Sequence, residues 1–87
     1  MKTTATSEFY DDLDDLDANM SERVLNIIEL VENAQTLTAI PNFKKMKGFK
    51  TYYRIRMGNY RIGLSLDDQI LTFVCIKHRR EVYRYFP

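Results

Sequence analysis

Residues 52–66 read YYRIRMGNYRIGLSL, and their pattern predicts the central part of a β-sheet. Apolar side chains alternate with polar ones on both sides of Gly58 and Asn59, a dipeptide typical of two-residue β-hairpin loops. With these two residues as the loop, Arg56 pairs with Arg61 across the hairpin. The stretch therefore predicts an antiparallel hairpin with one apolar face and one basic face.

Two amphipathic helices are predicted ahead of the hairpin. Ser7 is the expected N-cap of the first helix, and residues 17–19 break it. Asn19 and Glu22 resemble a capping box for the second helix, which continues to about Asn33. The apolar stripes that define these helices are Phe9, Leu13, Leu16 and Met20, then Val24, Ile27, Ile28 and Val31. We expect both stripes to face the core.

The remaining segments complete an α+β domain. Residues 3–6 predict a short first strand, and residues 35–43 predict a loop. After the hairpin, residues 67–68 predict a turn, and the nearly continuous apolar run 69–76 predicts a central strand buried on both faces. The expected architecture is a short N-terminal strand, two helices and a three-stranded antiparallel meander, with the helices packed on one sheet face. Residues 1–87 form a single domain.

Composition excludes several classes of protein. The 87 residues are 45% hydrophobic and 29% charged, which is unlike a disordered or low-complexity chain. No apolar run approaches the roughly 18 residues of a membrane span. The single cysteine, Cys75, allows no internal disulfide, and together with the single histidine, His78, it falls short of a zinc site. We expect a soluble cytoplasmic domain that binds no membrane, metal or cofactor.

Charge is divided unevenly along the chain. Residues 1–33 carry nine acids against two bases, whereas residues 34–87 carry eleven bases against three acids. The net charges of these parts are −7 and +8. Such asymmetry indicates a polyanion-binding half and a separate acidic surface. The alternative is a solvated charged surface that is neutralised within the fold.

The basic face of the hairpin favours the polyanion. Arg56 and Arg61 lie opposite each other with Arg54 two residues along, and like charges in that position destabilise a sheet by about 0.2–1 kcal/mol. Arginine offers permanently charged, bidentate donors for phosphate. Tyr52 shares this face and could stack on a base. We interpret the face as shaped for a polyanion.

Three motifs resemble one family of proteins. Residues 45–48 read KMKG, residues 53–63 read YRIRMGNYRIG, and residues 78–83 read HRREVY. In this order and spacing they resemble the RelE/ParE superfamily of toxins from type II toxin–antitoxin systems. The resemblance covers nearly the whole chain and implies the RelE fold, which is similar to that of microbial ribonucleases. It also implies the RelE activity, a ribosome-dependent endonuclease (mRNA interferase) that cuts mRNA and so inhibits translation.

The resemblance implies a set of catalytic residues by position. These are Arg54, Arg56, Arg61, Arg79 and Tyr83, with His78 as an alternative to Arg79 for the leaving group. The family's best-studied type has lysines at the positions of Arg54 and Arg56, and arginine is a poor base. Aligned without a gap, the C-terminal arginine falls on Lys77. The expected chemistry uses the RNA 2′-hydroxyl and needs no metal.

Further residues are expected to contact RNA or the ribosome. They are Lys44, Lys45, Lys47, Lys50, Tyr52 and Arg80. The implied partners are the 70S ribosome, mRNA and a cognate antitoxin, for which an apolar edge of Val82, Tyr83, Tyr85 and Phe86 would be the docking place. We expect little room for a helix after Tyr83. The alternatives are a ParE-like toxin that poisons DNA gyrase and a non-catalytic RNA- or ribosome-binding domain.

Overall fold

The computed structural model describes residues 1–86, apart from the side chain of Tyr85. Its elements are β1 (Lys2–Ala5), α1 (Ser7–Asp14), α2 (Ala18–Asn33), β2 (Phe43–Lys45), β3 (Tyr52–Met57), β4 (Tyr60–Asp67), β5 (Ile70–His78) and α3 (Val82–Tyr85). The five strands form one sheet in the order β1-β5-β4-β3-β2, with β1 parallel to β5 and the other pairs antiparallel. The predicted α+β class is confirmed. Within residues 1–86, no helix has both the length and the hydrophobicity needed to cross a membrane.

Both predicted helix caps were placed too late in the sequence. Thr6, not Ser7, caps α1 by accepting a hydrogen bond from the N–H of the third helical residue at 3.1 Å. Asp17, not Asn19, caps α2 in the same way at 2.8 Å. Thr6 and Asp17 have extended backbones that put the side-chain oxygen over the free N–H groups. Met20, predicted in the stripe of the first helix, therefore belongs to α2.

The sheet has one more strand than predicted. Residues 43–45 form the short edge strand β2 beside β3, where the sequence predicted the end of a loop. Three residues are too few to show a period-two pattern, and the lysines in β2 suit an exposed edge. The second turn also lies one residue later than predicted, at Asp68 and Gln69, which both have positive φ.

The main core lies between the sheet and the two long helices. Phe9 of α1 and Val24 and Val31 of α2 are fully buried against the strands. From the sheet, β3, β4 and β5 contribute Ile55, Met57, Ile62, Leu64, Leu71, Phe73 and Ile76. The predicted packing of α1 and α2 on one sheet face is confirmed, and we call this side the helix face.

A β-bulge in β5 decides which side chains reach the other face. Gly63 pairs with Cys75, whereas Leu64 pairs with Phe73, so Val74 is the extra residue. The shift explains why residues 73–76 of β5 are all apolar. Phe73 packs in the main core and Cys75 packs in a second cluster on the opposite face.

The second cluster lies beneath α3, a helix that the sequence reasoning did not expect. Val82 and Phe86 are fully buried there with Met46 and Cys75. Val82 and Phe86, both predicted in the apolar edge for an antitoxin, thus cover the sheet of their own chain in this structure. Burying both side chains stabilises the single turn of α3, which is too short to persist on helix propensity alone. The side chain of Tyr85, also predicted in that edge, lies outside the described residues.

Candidate active site on the arginine face

A row of three basic residues crosses the sheet opposite the helix face. The ladder pairs Arg56 with Arg61 and Arg61 with Lys77. Arg54 lies in the next row, opposite Gly63. We call this side of the sheet the arginine face. The hairpin register predicted from the sequence is confirmed, including the pairing of Arg56 with Arg61.

Lys77 is neutralised by acids from α1. Its Nζ lies 3.0 Å from Oδ1 of Asp12 and 3.4 Å from Oε2 of Glu8. Burial alone would lower the pKa of Lys77, but the hydrogen bonds and charges of Asp12 and Glu8 outweigh it and raise that pKa. The other oxygen of Asp12 accepts the backbone N–H of Ile76 at 2.9 Å, so α1 covers the edge of β5 beyond β1. The charge of Lys77 is therefore paired with the acids of α1.

The arginines of this face lack such partners. Within residues 1–86, the ion pairs are confined to Lys77. Nη1 of Arg61 instead donates to the carbonyl oxygens of Gly58 and Tyr60, each at 2.8 Å. These bonds hold the Arg61 guanidinium at the tip of the β3–β4 hairpin, where its charge is available to a ligand.

The pKa of Arg61 reports which charges surround it. Burial lowers this pKa, and the positive charges of Arg54, Arg56 and Arg79 lower it further, whereas Tyr83 acts in the opposite direction. The structure thus gathers five of the predicted catalytic residues in one place. We call Arg54, Arg56, Arg61 and Arg79 the arginine cluster. Mutual repulsion of this kind is relieved when a phosphate binds.

Helix α3 presents Tyr83 to the arginine cluster. Val82 and Phe86 anchor the helix in the second cluster, and Tyr83 between them is 65% exposed. Its side chain lines a pocket of about 200 Å³ together with Arg54, Met46, Phe49 and three predicted RNA-binding lysines, Lys44, Lys45 and Lys47. Predicted RNA-binding lysines and predicted catalytic residues therefore line the same pocket.

The fourth lysine and Tyr52 lie beside this pocket. Lys50 lines a second depression, of about 280 Å³, that shares Lys45 and Lys47 with the first pocket. The ring of Tyr52 packs edge-to-face against Phe49 and Phe86, with centroids 5.7 and 5.1 Å apart. Tyr52 therefore helps to hold Phe86 in place, in addition to sharing the face of Arg54.

His78 lies on the helix face. The ladder pairs it with Tyr60, and the two rings meet edge-to-face at 5.8 Å. Its Nδ1 accepts the backbone N–H of the exposed Arg80 at 3.3 Å. The neighbouring Arg79 is turned to the hairpin tip, where its backbone N–H donates to the Asn59 carbonyl at 2.7 Å. The structure brings Arg79, and not His78, to the arginine cluster.

The sequence did not reveal the contact between Gly63 and Phe86, which lets α3 lie on the arginine face. A signal was available, because a glycine inside an alternating strand marks a close approach of another group. It could not reveal which group approaches, since Phe86 lies 23 residues further along the chain.

Comparison with known proteins identifies the family. The sequence matches the family described as "ParE toxin of type II toxin-antitoxin system, parDE" over residues 5–83. The chain therefore belongs to this family and is a toxin of the RelE/ParE superfamily, as its motifs predicted. It is 38% identical over 88 residues to Toxin RelE3 of Methanocaldococcus jannaschii, with 100% of both chains covered.

Solved structures agree with this assignment. The RelB–RelE antitoxin–toxin complex from Methanococcus jannaschii matches with a TM-score of 0.82 and 36% identity, over 97% of this chain and 99% of that chain. The archaeal RelE–RelB complex from Pyrococcus horikoshii shares the fold, with a TM-score of 0.72 and 21% identity over 90% and 93% of the two chains. Although the matching family carries the name ParE, the two relatives from Methanocaldococcus jannaschii and Methanococcus jannaschii, at 38% and 36% identity, are named RelE.

Proposed function

We propose that this toxin is a RelE-like mRNA interferase, an endoribonuclease that cuts mRNA on the ribosome. The observation that carries the proposal is the arginine cluster, which gathers four arginines beside Tyr83 without an acid partner among residues 1–86. Such a cluster lowers the stability of the free protein and suits a polyanion. The relatives named RelE support a toxin of the RelE type, the type whose activity the sequence motifs imply.

The proposed chemistry uses the nucleophile that RNA carries. The 2′-hydroxyl gives its proton to solvent water and attacks the adjacent phosphorus, the bond to the 5′-oxygen breaks, and that oxygen takes up a proton from solvent. The products are a 2′,3′-cyclic phosphate and a 5′-hydroxyl, and no metal or cofactor enters the balance. Arg56 polarises the 2′-hydroxyl while Arg54 and Arg61 stabilise the charge that grows on the phosphate. Arg79 stabilises the leaving 5′-oxygen, and Tyr83 positions the phosphate or a nucleobase.

Dependence on the ribosome follows from the absence of an efficient base in this set. Guanidinium groups stay protonated at neutral pH, so they stabilise charge and orient groups but remove protons poorly. Alignment of the 2′-hydroxyl must then come from elsewhere, and a bound ribosome can hold the mRNA in the required geometry. We assign Lys44, Lys45, Lys47 and Lys50 to contacts with RNA phosphates around the cut site, and the toxin to the cytoplasm.

A cognate antitoxin completes the proposal. The relative from Methanococcus jannaschii was solved with its RelB antitoxin, and a toxin of this type must be restrained in its own host. The arginine cluster offers an anchor for acidic side chains. Because Val82 and Phe86 are buried, an antitoxin segment that buries apolar area here must displace α3 or pack around it. Part of the affinity is electrostatic and weakens with salt.

Translating ribosomes provide the test. Purified toxin is added to ribosomes on a defined mRNA, and the 5′ ends are mapped by primer extension. Cuts within codons, lost in Arg61→Ala and retained in Lys2→Ala, are the expected result. Lys2 is an exposed cation on β1 and serves as the charge-matched control.

A gyrase-directed toxin is the second candidate, because the matching family is that of ParE. The same protein is therefore incubated with DNA gyrase and plasmid DNA. Covalent gyrase–DNA adducts without mRNA cleavage would replace the interferase proposal by the ParE one. Ribosome binding without either activity would leave a non-catalytic binding domain.

A further inference from the structure

Three arginines from separate parts of the chain lie at the tip of the β3–β4 hairpin. Arg61 of β4 donates to the Gly58 carbonyl at 2.8 Å, and the backbone N–H of Arg79, which follows β5, donates to the Asn59 carbonyl at 2.7 Å. Arg23 of α2 approaches the same turn, with its Nη1 3.6 Å from the position that a Cβ on Gly58 would occupy. Arg23 thus brings a positive charge to the tip from the helix face.

The position of Arg23 is not explained by ion pairing within its helix. The residues three and four positions away on α2 are Asn19, Met20, Asn26 and Ile27, all uncharged. Its Nη1 donates to the weak acceptor Sδ of Met20, at 3.6 Å. Among the described residues the ion pairs are those of Lys77, so no acid holds Arg23 at the turn.

Two guanidinium groups therefore lie within 4 Å of Gly58 atoms or of its Cβ position. Arg23 is also the single base between residues 8 and 33, a segment with nine acids. Its position beside the basic tip is electrostatically unfavourable, because it brings this base close to other positive charges. The cost is offset when an anion binds at the tip.

We propose that Arg23 extends the arginine cluster around the hairpin tip, and that the tip seats a phosphate of single-stranded RNA next to the phosphate that is cut. The inference rests on the proposed function, since it takes the ligand of the arginine cluster to be RNA. Arg54 and Arg56 bind the strand on the arginine face, and Arg23 binds the neighbouring phosphate where the strand passes over Gly58 and Asn59. The acidic surface of α1 and α2 repels phosphates, so the RNA strand does not continue past Arg23 along these helices.

The test measures RNA binding as a function of salt rather than cleavage. A fluorescent, uncleavable 2′-O-methyl 12-mer is titrated with the toxin between 50 and 200 mM salt, and a decoding-site hairpin RNA is titrated in parallel. Each phosphate contact contributes about 0.7 to the slope of log K against log salt for a single strand. We expect Arg23→Gln to reduce the slope with the 12-mer by about 0.7 and Arg23→Lys to retain it. Lys2→Gln removes the other base among residues 1–33 and should leave the slope unchanged.

The outcomes separate this inference from the proposed function. An unchanged slope in Arg23→Gln, an equal loss in Lys2→Gln or a loss seen only with the hairpin RNA would each overturn the inference. So would a wild-type toxin that fails to bind the 12-mer at 50 mM salt. If the slope falls as expected but ribosomes reveal no cleavage, the RNA seat stands and the nuclease activity is refuted. Far-UV circular dichroism and thermal unfolding establish that each variant is folded.

Discussion

The ring of Phe86 lies directly over Gly63, at the centre of the arginine face. A Cβ on residue 63 would stand 3.0 Å from Cγ and Cδ1 of Phe86 and 3.0 Å from Sγ of Cys75. Real side chains seldom pack so closely, so a larger residue at this position must move the ring. Since Phe86 anchors α3, and α3 carries Tyr83, this contact connects a strand glycine to the candidate active site.

Gly63→Val should release α3 from the sheet. The added methyl groups clash with Phe86 and Cys75, so we expect hydrogen exchange at the amides of Arg84 and Phe86, which are bonded to Glu81 and Val82 in the native turn, to become fast. Loss of the Tyr83 position should lower ribosome-dependent cleavage by about 10²-fold.

Ser65→Val provides the matched control. Residue 65 lies on the same face of β4, two positions along, and is partly exposed opposite Tyr52. The same side chain there should leave exchange in α3 and cleavage close to wild type. Slow exchange at Phe86 in Gly63→Val would show that the contact does not hold the helix.

Arg56→Gln should make the protein more stable and less active. Arg56 is exposed opposite Arg61, so removing its charge relieves a like-charge pair and raises the free energy of unfolding by about 0.2–1 kcal/mol. Cleavage should fall because the 2′-hydroxyl is no longer polarised. Urea unfolding and primer extension measure the two effects.

Arg84→Gln is the control for this trade-off, because Arg84 is an exposed arginine of α3 outside the arginine cluster. It should change neither quantity appreciably. A destabilised Arg56→Gln protein would mean that Arg56 supports the fold rather than a ligand.

The parts of the fold that the sequence predicts are those with a local signal. The hairpin register needed only the Gly58-Asn59 turn and the alternation on either side of it. The main core followed from the stripes of α1 and α2, because a helix with one apolar face must bury it. From that register alone, Arg54, Arg56 and Arg61 could be placed together on one face.

The parts that could not be predicted depend on contacts between distant segments. The bulge at Val74 shifts the register of β5 by one residue, so the side chains after it point to the opposite face from that expected by simple alternation. Without the bulge, Cys75 and Lys77 would not lie on the same face as Arg61. The turn of α3 forms because Val82 and Phe86 pack on the sheet at Gly63 and Cys75. Neither contact leaves a periodic pattern in the sequence.

The leaving-group assignment can be decided by comparing neighbouring residues. Arg79 influences the pKa of Arg61, whereas His78 packs against Tyr60 on the helix face. We therefore expect Arg79→Ala to lower single-turnover cleavage by about 10²-fold and His78→Ala to stay close to wild type. A steep change in rate between about pH 6 and 8 that disappears only in His78→Ala would reverse the assignment.

Stability should fall at alkaline pH because of Cys75. Burial, together with the negative charges of Glu8 and Asp12, raises the pKa of this thiol from its ordinary value of 9.0 to about 11. Above pH 9 the unfolded chain loses the thiol proton while the folded chain keeps it, so the free energy of unfolding decreases until the pH passes the folded pKa.

The expected loss between pH 8 and 10 is about 1.3 kcal/mol, close to the value of one pKa unit. Urea unfolding of wild type and Cys75→Ala under reducing conditions isolates it, because the two proteins share every other titratable group. Cys75→Ala will be less stable at every pH, since it leaves a small cavity beneath Phe86. Its decline between pH 8 and 10 should nevertheless be shallower than that of wild type. Parallel declines would mean that the folded protein does not raise the pKa of Cys75. Water would then reach the thiol, which requires that α3 opens readily from the arginine face.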